Sequence, residues 1–381
     1  MKRILVFGER SSSLQRLIDL RAMRPSWDGA AVSDPQDAER ALNNERFDAV
    51  IAEVGSPMDE RLRFLNLLQT DYPAPARVVV AYDPRSHAQL QAACQPAGFV
   101  GSESPVEDVA NVVERSLDIS ELIQDHALKV LIDQIDTLPP APTVYLELNQ
   151  ALANDNASAA TVAAIIGQDP SLASEILKVV NSALFGLRRE ITSIAEAVAL
   201  LGFAMVRNLA LSVAVYRSVS GTHRRRALQI EKLQQHALNT ARLASGMAPN
   251  RVLADEFYLA GLLHDVGKLV FTTLRPEFLE QVDAEAQSSN RPRHEVERDL
   301  GGGVTHTEAG AYLLHAWGLP YAIIEAAAFH HQPERVPQTA FDALAAVHIA
   351  NRLAHDPQDT CEDYLARLEA GCVAGSEHVF A

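Results

Sequence analysis

The sequence predicts a protein of two parts, in which a doubly wound α/β domain precedes a domain built only of helices. Before residue 120, short β-rich runs alternate with amphipathic helical runs; after it, no segment has the two-residue period of a half-buried strand. With 381 residues and 48% hydrophobic composition, the chain is long enough to build two or three domains with ordinary cores.

The N-terminal part alternates predicted strands with predicted helices. The strands are Arg3–Phe7, Ala30–Ser33, Phe47–Val54, Arg77–Tyr82 and Phe99–Val100. The helices are Ser12–Ala22, Pro35–Asn43, Arg61–Gln69, Ser86–Ala93 and one that begins at Val106. This alternation predicts a five-stranded parallel sheet covered by helices on both faces, because parallel strands are joined by crossover helices.

Helical periodicity continues through the rest of the chain. Apolar positions over residues 106–136 predict one or two connecting helices, which the prolines of Leu138–Pro142 stop, since proline lacks a backbone donor. From Thr143 to about Leu353, helical runs are separated by breaks that contain glycine or proline. We assign residues 1–118 to the α/β domain, 119–137 to a helical linker and 138–381 to the all-helical domain.

Composition argues against several classes of protein. A net charge of −16 opposes binding to DNA through its phosphates. No uncharged apolar run reaches about 18 residues, so we expect no membrane span, and the start of the chain has too short an apolar stretch for a signal peptide. The chain has three cysteines without CxxC spacing, which fits a cytoplasmic protein: Cys94, Cys361 and Cys372.

An imidazole stands beside a carboxylate in the helical part, at His264 and Asp265. They follow the apolar run Phe257–Leu263, which predicts a buried helix, and buried polar groups need partners. Adjacent helical positions point about 100° apart, so we expect the pair to supply two groups at the edge of a cavity that other helices complete.

Further histidines are candidates to complete that cavity. They are His236, His306, His330 and His331. Imidazole and carboxylate ligands suit iron, manganese, zinc or nickel, and ligand type does not choose among these metals. The alternative is a hydrogen-bonded core pair at His264 and Asp265, with the other histidines scattered by chance.

The run Phe47–Met58, with the order of elements around it, resembles the receiver domain of bacterial response regulators over residues 1–118. A working receiver has an acidic pair after strand one to hold Mg²⁺, a phosphate-accepting aspartate at the end of strand three, a switch serine or threonine and a lysine after strand five. The corresponding positions here are Gly8 and Glu9, Glu53, Ala81 or Tyr82, and Gly101–Pro105, which contains no lysine.

The resemblance therefore implies a degenerate receiver that neither holds Mg²⁺ nor accepts phosphate. The side chain at Glu53 is one methylene longer than aspartate, which displaces its carboxylate. Such a domain has two possible uses. It contacts other proteins, including a second copy in a homodimer, or it is a structural appendage without a binding role.

The stretch Asp169–Gly186 has the sequence DPSLASEILKVVNSALFG and is followed by Ile191–Ile194 and Ala197–Gly202. It resembles the HDOD family, an all-helical bacterial signalling module related to HD-type metal-dependent phosphohydrolases and HD-GYP phosphodiesterases. The resemblance runs from Leu138 to Leu353. Asp169 before Pro170 predicts a helix N-cap, and the apolar positions that follow are more typical of a core than of chemistry: Leu172, Ile176, Leu177 and Val180.

The same resemblance implies a role for each candidate site residue. His236 matches the first histidine of the HD hydrolases, His264 and Asp265 their HD pair, and His306 the next histidine. The remaining matches are Lys268, the lysine of the HD-GYP pattern, and the tandem histidines His330 and His331. Two features depart: Pro333–Pro337 lacks the Gly-Tyr-Pro loop, and Asn351 replaces the terminal aspartate ligand. Asparagine offers only a neutral oxygen, so the charge balance of a two-metal site is incomplete.

Two functions follow as hypotheses. The favoured one is a regulatory scaffold in signal transduction, whose helical module binds other signalling proteins or a nucleotide and holds one or two metal ions. The alternative is a metal-dependent phosphodiesterase or phosphohydrolase acting on a nucleotide such as a cyclic dinucleotide. In that case Asp265 is part of the catalytic centre and Lys268 holds a phosphate oxygen as a point charge.

Overall fold

The computed structural model describes residues 1–55, 76–81, 98–125, 141–152, 157–183, 185–187, 189–218, 224–337 and 341–371, with the single positions 61, 64 and 128. The chain divides into two compact units, Met1–Asp125 with Gly318–Tyr321 and His126–Trp317 with Ala322–Ala381. Most of the predicted helices Arg61–Gln69 and Ser86–Ala93 lies outside the described residues, as do nearly all of 126–137 and the residues Tyr82, Cys94 and Cys372.

The N-terminal unit is built on a five-stranded sheet whose neighbouring strands are all parallel. Its strands are β1 (Lys2–Phe7), β2 (Trp27–Val32), β3 (Ala49–Val54), β4 (Ala76–Ala81) and β5 (Gly98–Gly101). The strand order is β2-β1-β3-β4-β5, which is the flavodoxin-like order of doubly wound sheets. The predicted α/β fold class is confirmed.

Alternating side chains of these strands build a core on each face of the sheet, as the two-residue period requires. The described helices are α1 (Arg10–Met23), α2 (Pro35–Asn44) and α3 (Val106–Gln124). On one face, Ile4 and Val80 belong to the same core as Leu17 of α1 and Val113 of α3. On the other face, the strand residues Leu5, Phe7 and Val79 share a core with Ala38 of α2.

Two strands begin two or more residues away from the predicted start. Strand β2 begins at Trp27 rather than Ala30, because Trp27 is buried and is the register partner of Lys2. Strand β3 begins at Ala49 rather than Phe47. Asp48, just before it, donates its amide to the Arg3 carbonyl at 2.8 Å and accepts the Arg3 amide with its carboxylate at 2.7 Å.

The second unit is helical throughout the part that the structure describes, and no described residue after Gly101 is in a strand. The prediction of an all-helical second part is therefore confirmed. Its α-helices are α4 (Thr143–Leu152), α5 (Ala159–Gly167), α6 (Pro170–Val180), α7 (Ile194–Leu201), α8 (Phe203–Ser218), α9 (Arg224–Gly246), α10 (Arg251–Leu263), α11 (Val266–Leu274), α12 (Pro276–Ser289), α13 (Arg293–Leu300), α14 (His306–Ala316), α15 (Tyr321–Phe329), α16 (Ala343–His355) and α17 (Glu362–Gly371), with a short 3-10 helix at Pro333–Arg335.

The family-like stretch around α6 serves the fold. Asp169 caps α6 by accepting the amides of Ser171 and Leu172 at 2.9 and 3.0 Å, as the sequence predicts. The side chain of Asn181 then binds the backbone of Ile191 twice, donating to its carbonyl and accepting from its amide, each at 2.8 Å. These bonds fix the two ends of the intervening segment to each other.

Close helix crossings at glycine position the segments that carry the histidines. A Cβ atom on Gly267 of α11 would lie 1.9 Å from the carbonyl oxygen of His306 and 2.6 Å from the amide nitrogen of Gly310, both in α14. A Cβ atom on Gly261 of α10 would lie 2.7 Å from the Cα of Ala241 in α9. Only glycine allows backbones to approach so closely, so these positions set the spacing of the helices around His264 and Asp265.

Candidate metal centre

His264 and Asp265 lie between two helices, because α10 ends at Leu263 and α11 begins at Val266. Asp265 has φ −101° and ψ 10°, outside the α-helical region. The expected divergence of about 100° holds only inside a continuous helix. Here the break in the helix turns the two side chains toward each other, and His264 Nε2 lies 3.4 Å from Asp265 Oδ2. The pair can therefore act on one ion together.

The buried carboxylate of Asp265 is the centre of the cluster. Its Oδ1 lies 3.3 Å from His306 Nε2 and 3.6 Å from His330 Nε2. Its Oδ2 lies 3.7 Å from His236 Nε2 and 2.6 Å from Lys268 Nζ. His331 joins the cluster through its Nε2, 3.2 Å from His306 Nε2.

The candidate ligands form two overlapping sets, in each of which the ligand atoms lie within 4.8 Å of one another. We call Asp265, His306, His330 and His331 the tandem set, and His236, His264 and Asp265 the junction set. The structure thus brings together the six histidine and aspartate residues named from the sequence, across about a hundred residues of chain. Asp265 belongs to both sets.

Backbone and carboxylate oxygens fix which ring nitrogen of three histidines carries a proton. His264 Nδ1 faces the Gly261 carbonyl at 2.7 Å, and His330 Nδ1 faces the Ala327 carbonyl at 3.0 Å. Oxygens of this kind only accept, so each Nδ1 donates and each Nε2 keeps its lone pair. Among the described atoms, His264 Nε2, His330 Nε2 and Asp265 Oδ1 are buried without a hydrogen-bond partner. Buried polar atoms of this kind are rare, and a cation bound at the cluster is the kind of partner that they lack.

The third such histidine is His306, whose partner is the buried carboxylate of Glu297. Glu297 Oε2 accepts from His306 Nδ1 at 2.5 Å and from the His306 amide at 3.0 Å. Metal-binding histidines commonly donate their second ring nitrogen to a carboxylate in this way, which fixes the ring orientation. His306 Nε2 is thereby aimed at Asp265 and His331.

The electrostatics of the cluster favour an anionic Asp265 and neutral rings at His236 and His330. Burial alone would raise the pKa of Asp265, but His264 and Lys268 outweigh it and hold that pKa well below its usual range. Burial, reinforced by His264, lowers the pKa of His236 to about 4 and that of His330 well below its ordinary value. These are the protonation states that metal binding requires at neutral pH.

His306 is the exception. Burial would lower its pKa, but the carboxylates of Glu297 and Asp265 together outweigh burial and raise it. In return, His306 overcomes the effect of burial on Glu297 and lowers the pKa of that carboxyl to about 2. This corner of the cluster therefore attracts positive charge, which either a second proton on the ring or a metal ion supplies.

Three residues beside the cluster were not found from the sequence. Glu297 holds His306, the ring of His294 stacks on His331 with centroids 4.2 Å apart, and the ring of His355 lies 4.6 Å from that of His236. All three are polar residues on helices that also carry solvated polar residues, so no periodic signal separates them from those residues. Proximity in space is what distinguishes them.

Asn351, at the expected position of the last ligand, is buried on α16 with its Oδ1 3.0 Å from His236 Nε2. The Gly-Tyr-Pro loop has no counterpart, because the 3-10 helix Pro333–Arg335 occupies that part of the chain. Asn351 thus reaches the junction set with a neutral oxygen, as the sequence implies.

Glu53, which the sequence predicts to be a degenerate phosphate-acceptor position, has different surroundings. Glu53 is 0% exposed on β3, and its Oε1 accepts from Arg16 Nε of α1 at 2.6 Å. A Cβ atom on Gly8 would lie 2.2 Å from Glu53 Oε2. The longer side chain therefore occupies the space that a side chain at position 8 would need, and an arginine supplies the positive charge. Glu9 is exposed at the N-cap of α1.

Comparison with known proteins places these features in a family. The sequence profile of the HDOD domain matches residues 138–333, just over half of the chain. The chain belongs to the HDOD family. A crystal structure of an HDOD domain protein of unknown function from Geobacter sulfurreducens aligns with a TM-score of 0.52 and 26% identity, over 68% of this chain and 83% of that one.

Two relatives match parts of this HDOD protein. It is 32% identical over 243 residues to an uncharacterized protein of Treponema pallidum (strain Nichols), covering 63% of this chain and 46% of that protein. It is 31% identical over 147 residues to ribonuclease Y of Thermus thermophilus, covering 37% of this chain and 20% of that enzyme. The chain therefore spans less than half the length of these relatives. Among its described helices, none combines the length and apolar character needed to cross a membrane.

Proposed function

We propose that this HDOD protein is a regulatory scaffold in signal transduction, whose helical unit is organised by a divalent transition metal at the histidine and aspartate cluster. Its partners are other signalling proteins, and a nucleotide is a second candidate ligand. One observation carries the metal site: the lone pairs of three oriented imidazoles converge on one buried carboxylate, whose Oδ1 has no hydrogen-bond partner among the described atoms.

Without a cation, this arrangement sets nitrogen lone pairs against an anion, which burial makes unfavourable. A metal ion would replace that repulsion with ligand bonds and would tie α11, α14 and the segment after α15 together through Asp265, His306 and His330. Imidazole and carboxylate donors fit iron, manganese, zinc or nickel, and a role in holding helices together does not require turnover.

The scaffold role is supported by the N-terminal unit. It has a receiver-like strand order, but its acceptor position is held by the ion pair between Glu53 and Arg16. A receiver-like domain without phosphate chemistry retains its surface, which suits protein contact or formation of a homodimer.

Metal analysis of protein purified without chelator or a nickel column tests the metal site. We expect a stoichiometric transition metal in the wild-type chain and its loss in His306→Ala. His315→Ala is the matched control, because His315 is an exposed histidine of the same helix outside both ligand sets. A wild-type chain that stays free of metal after incubation with Mn²⁺, Fe²⁺ or Zn²⁺ would refute the site.

A metal-dependent phosphohydrolase is the second candidate function, and two observations favour it. Asp265 is shared by two ligand sets, as a residue bridging two ions would be, and part of the chain is similar to a ribonuclease Y. Two bound ions would supply an activated water and neutralise charge on a phosphate. Against it stand the neutral Asn351 and the net charge of −16, which opposes an RNA substrate.

Activity assays separate the two candidates. Wild type and Asn351→Asp would be supplied with Mn²⁺ or Fe²⁺ and tested on cyclic dinucleotides, RNA and simple phosphodiesters. The scaffold proposal expects wild-type turnover far below about 1 s⁻¹, a rate typical of enzymes. Turnover at or above that rate, abolished by His264→Ala, would establish an enzyme instead.

A further inference from the structure

The chain has already satisfied most of the junction set with its own groups. Lys268 Nζ donates to Asp265 Oδ2 at 2.6 Å, and both side chains are largely buried. His236 Nε2 lies 3.0 Å from Asn351 Oδ1. Because an amide oxygen only accepts, His236 Nε2 donates there and carries a proton in place of the lone pair that a metal ligand needs. Of the atoms on this side of the cluster, Asp265 Oδ2 and His236 Nε2 therefore have partners, whereas His264 Nε2 has none among the described atoms.

The tandem set has two atoms that still lack a hydrogen-bond partner. Asp265 Oδ1 and His330 Nε2 have no hydrogen-bond partner in the described part of the chain, although both are buried. Glu297 fixes the proton of His306 on Nδ1, so without an ion His306 Nε2 accepts from His331 Nε2, 3.2 Å away. Transfer of that proton to His331 Nδ1 would free both Nε2 lone pairs for an ion. Three imidazole nitrogens and one carboxylate oxygen make a four-donor set, as tetrahedral metal sites require.

Charge also makes an ion less favourable in the junction set than in the tandem set. Asp265 contributes one negative charge to both, and the Lys268 ammonium already balances it on the Oδ2 side. A divalent ion in the junction set would lie beside that ammonium in a buried, weakly screened place. Asn351 adds no second anion to offset the repulsion.

We infer that the cluster holds a single divalent transition-metal ion, ligated by Asp265 and by His306, His330 and His331, and that the Lys268 ammonium takes the place of a second ion. This inference rests on the proposed metal centre and adds its stoichiometry and location. It assigns Lys268 a charge-balancing role beside the metal. The use of Lys268 to hold a substrate phosphate stays part of the enzyme hypothesis.

Metal counting tests the stoichiometry. Full-length protein would be incubated with excess Zn²⁺, desalted and analysed by mass spectrometry for zinc per chain. We expect one ion in the wild type and close to two in Lys268→Met/Asn351→Asp, which removes the ammonium and supplies the missing carboxylate. Two ions in the wild type would overturn the inference while leaving the metal centre in place. No ion in the wild type would remove the metal centre and this inference with it.

Cobalt spectroscopy tests the location. Co²⁺ bound by three nitrogens and one oxygen in a tetrahedral site gives visible d–d bands. We expect these bands in the wild type and in His236→Ala, and their loss in His331→Ala. Loss in His236→Ala with retention in His331→Ala would place the ion in the junction set and overturn the inference. His331→Gln, which keeps a polar side chain, is the second variant should His331→Ala not fold.

Discussion

Glu53 in the N-terminal unit and Asn351 beside the histidine cluster each stand where the pattern they resemble has an aspartate, yet their surroundings differ. At Glu53, an arginine within the unit pairs with the buried carboxylate, and Gly8 leaves room for it. At the cluster, Asp265 Oδ1 and two imidazole nitrogens remain unsatisfied among the described atoms. The number of altered motif residues is therefore a poor guide to whether a site can still bind an ion. What distinguishes a closed site from a retained one is whether the chain supplies partners for its buried polar atoms.

The largest expected effect is at the closed site. Arg16→Met would remove the cation that lies 2.6 Å from the buried Glu53 carboxylate, and removing one partner of a buried ion pair destabilises a protein by about 3–5 kcal/mol. Chemical denaturation followed by a probe in the N-terminal unit measures this loss. Arg21→Met is the control, since Arg21 lies on the same helix and its ion pair with Asp28 is exposed, so it should change stability by less than about 1 kcal/mol. Equal effects of the two substitutions would contradict closure by Arg16.

The histidine cluster, as the proposed metal site, should respond to metal instead. A ligand present at about a thousand times its dissociation constant stabilises the folded state by about 4 kcal/mol, which corresponds to a rise in Tm of roughly 8–16 °C for a unit of this size. Thermal denaturation with and without Zn²⁺ or Mn²⁺ would show this rise for the helical unit, and Asp265→Asn should abolish it. The N-terminal transition should not move with Mg²⁺. A Mg²⁺-dependent rise there would break the contrast between the sites.

A smaller effect is expected for Glu297→Gln. Glutamine keeps an oxygen that accepts from His306 Nδ1 but removes the negative charge, and loss of such an outer carboxylate typically weakens metal binding about 10- to 100-fold. Zinc competition titration measures the change. Glu295→Gln, an exposed position two residues earlier on α13, is the matched control. Unchanged affinity in Glu297→Gln would show that this carboxylate serves packing alone.

The last prediction is an absence of change: we expect no phosphorylation of Glu53. Incubation with acetyl phosphate and Mg²⁺ should leave Glu53 unmodified, because the carboxylate is buried against Arg16 and Mg²⁺ demands a near-ideal octahedral site. Intact-mass spectrometry checks this outcome. A stoichiometric, hydroxylamine-labile phosphate at Glu53 would show that the receiver site still functions.

The fold was largely predictable because its signals are local. Alternation of β-rich and helical runs predicted the parallel sheet, and the Asp169–Pro170 pair predicted where α6 begins. The start of β2 was missed by three residues, since Trp27 joins the strand through its register with Lys2, which only the folded sheet defines.

The histidines of the candidate site could be predicted from the sequence, because a family motif marks them. Their arrangement in space was harder to predict. The break between α10 and α11 turns His264 and Asp265 toward each other, against the expectation for one helix. The ion pair of Lys268 with Asp265 had a local signal, because residues three apart on a helix are neighbours. Glu297 had none, as it meets His306 only through the packing of separate helices.

The glycine crossing between α11 and α14 would couple the separation of these helices to occupancy of the proposed metal site. Because the backbones touch at Gly267 and Gly310, the distance from Asp265 to His306 is set by main chain rather than by flexible side chains. A partner that forced these helices apart would move Asp265 away from His306 and would lower the affinity of the site for the ion. By thermodynamic reciprocity, the ion opposes that partner by the same factor. The fraction of protein with bound metal would then report how closely α11 and α14 approach each other.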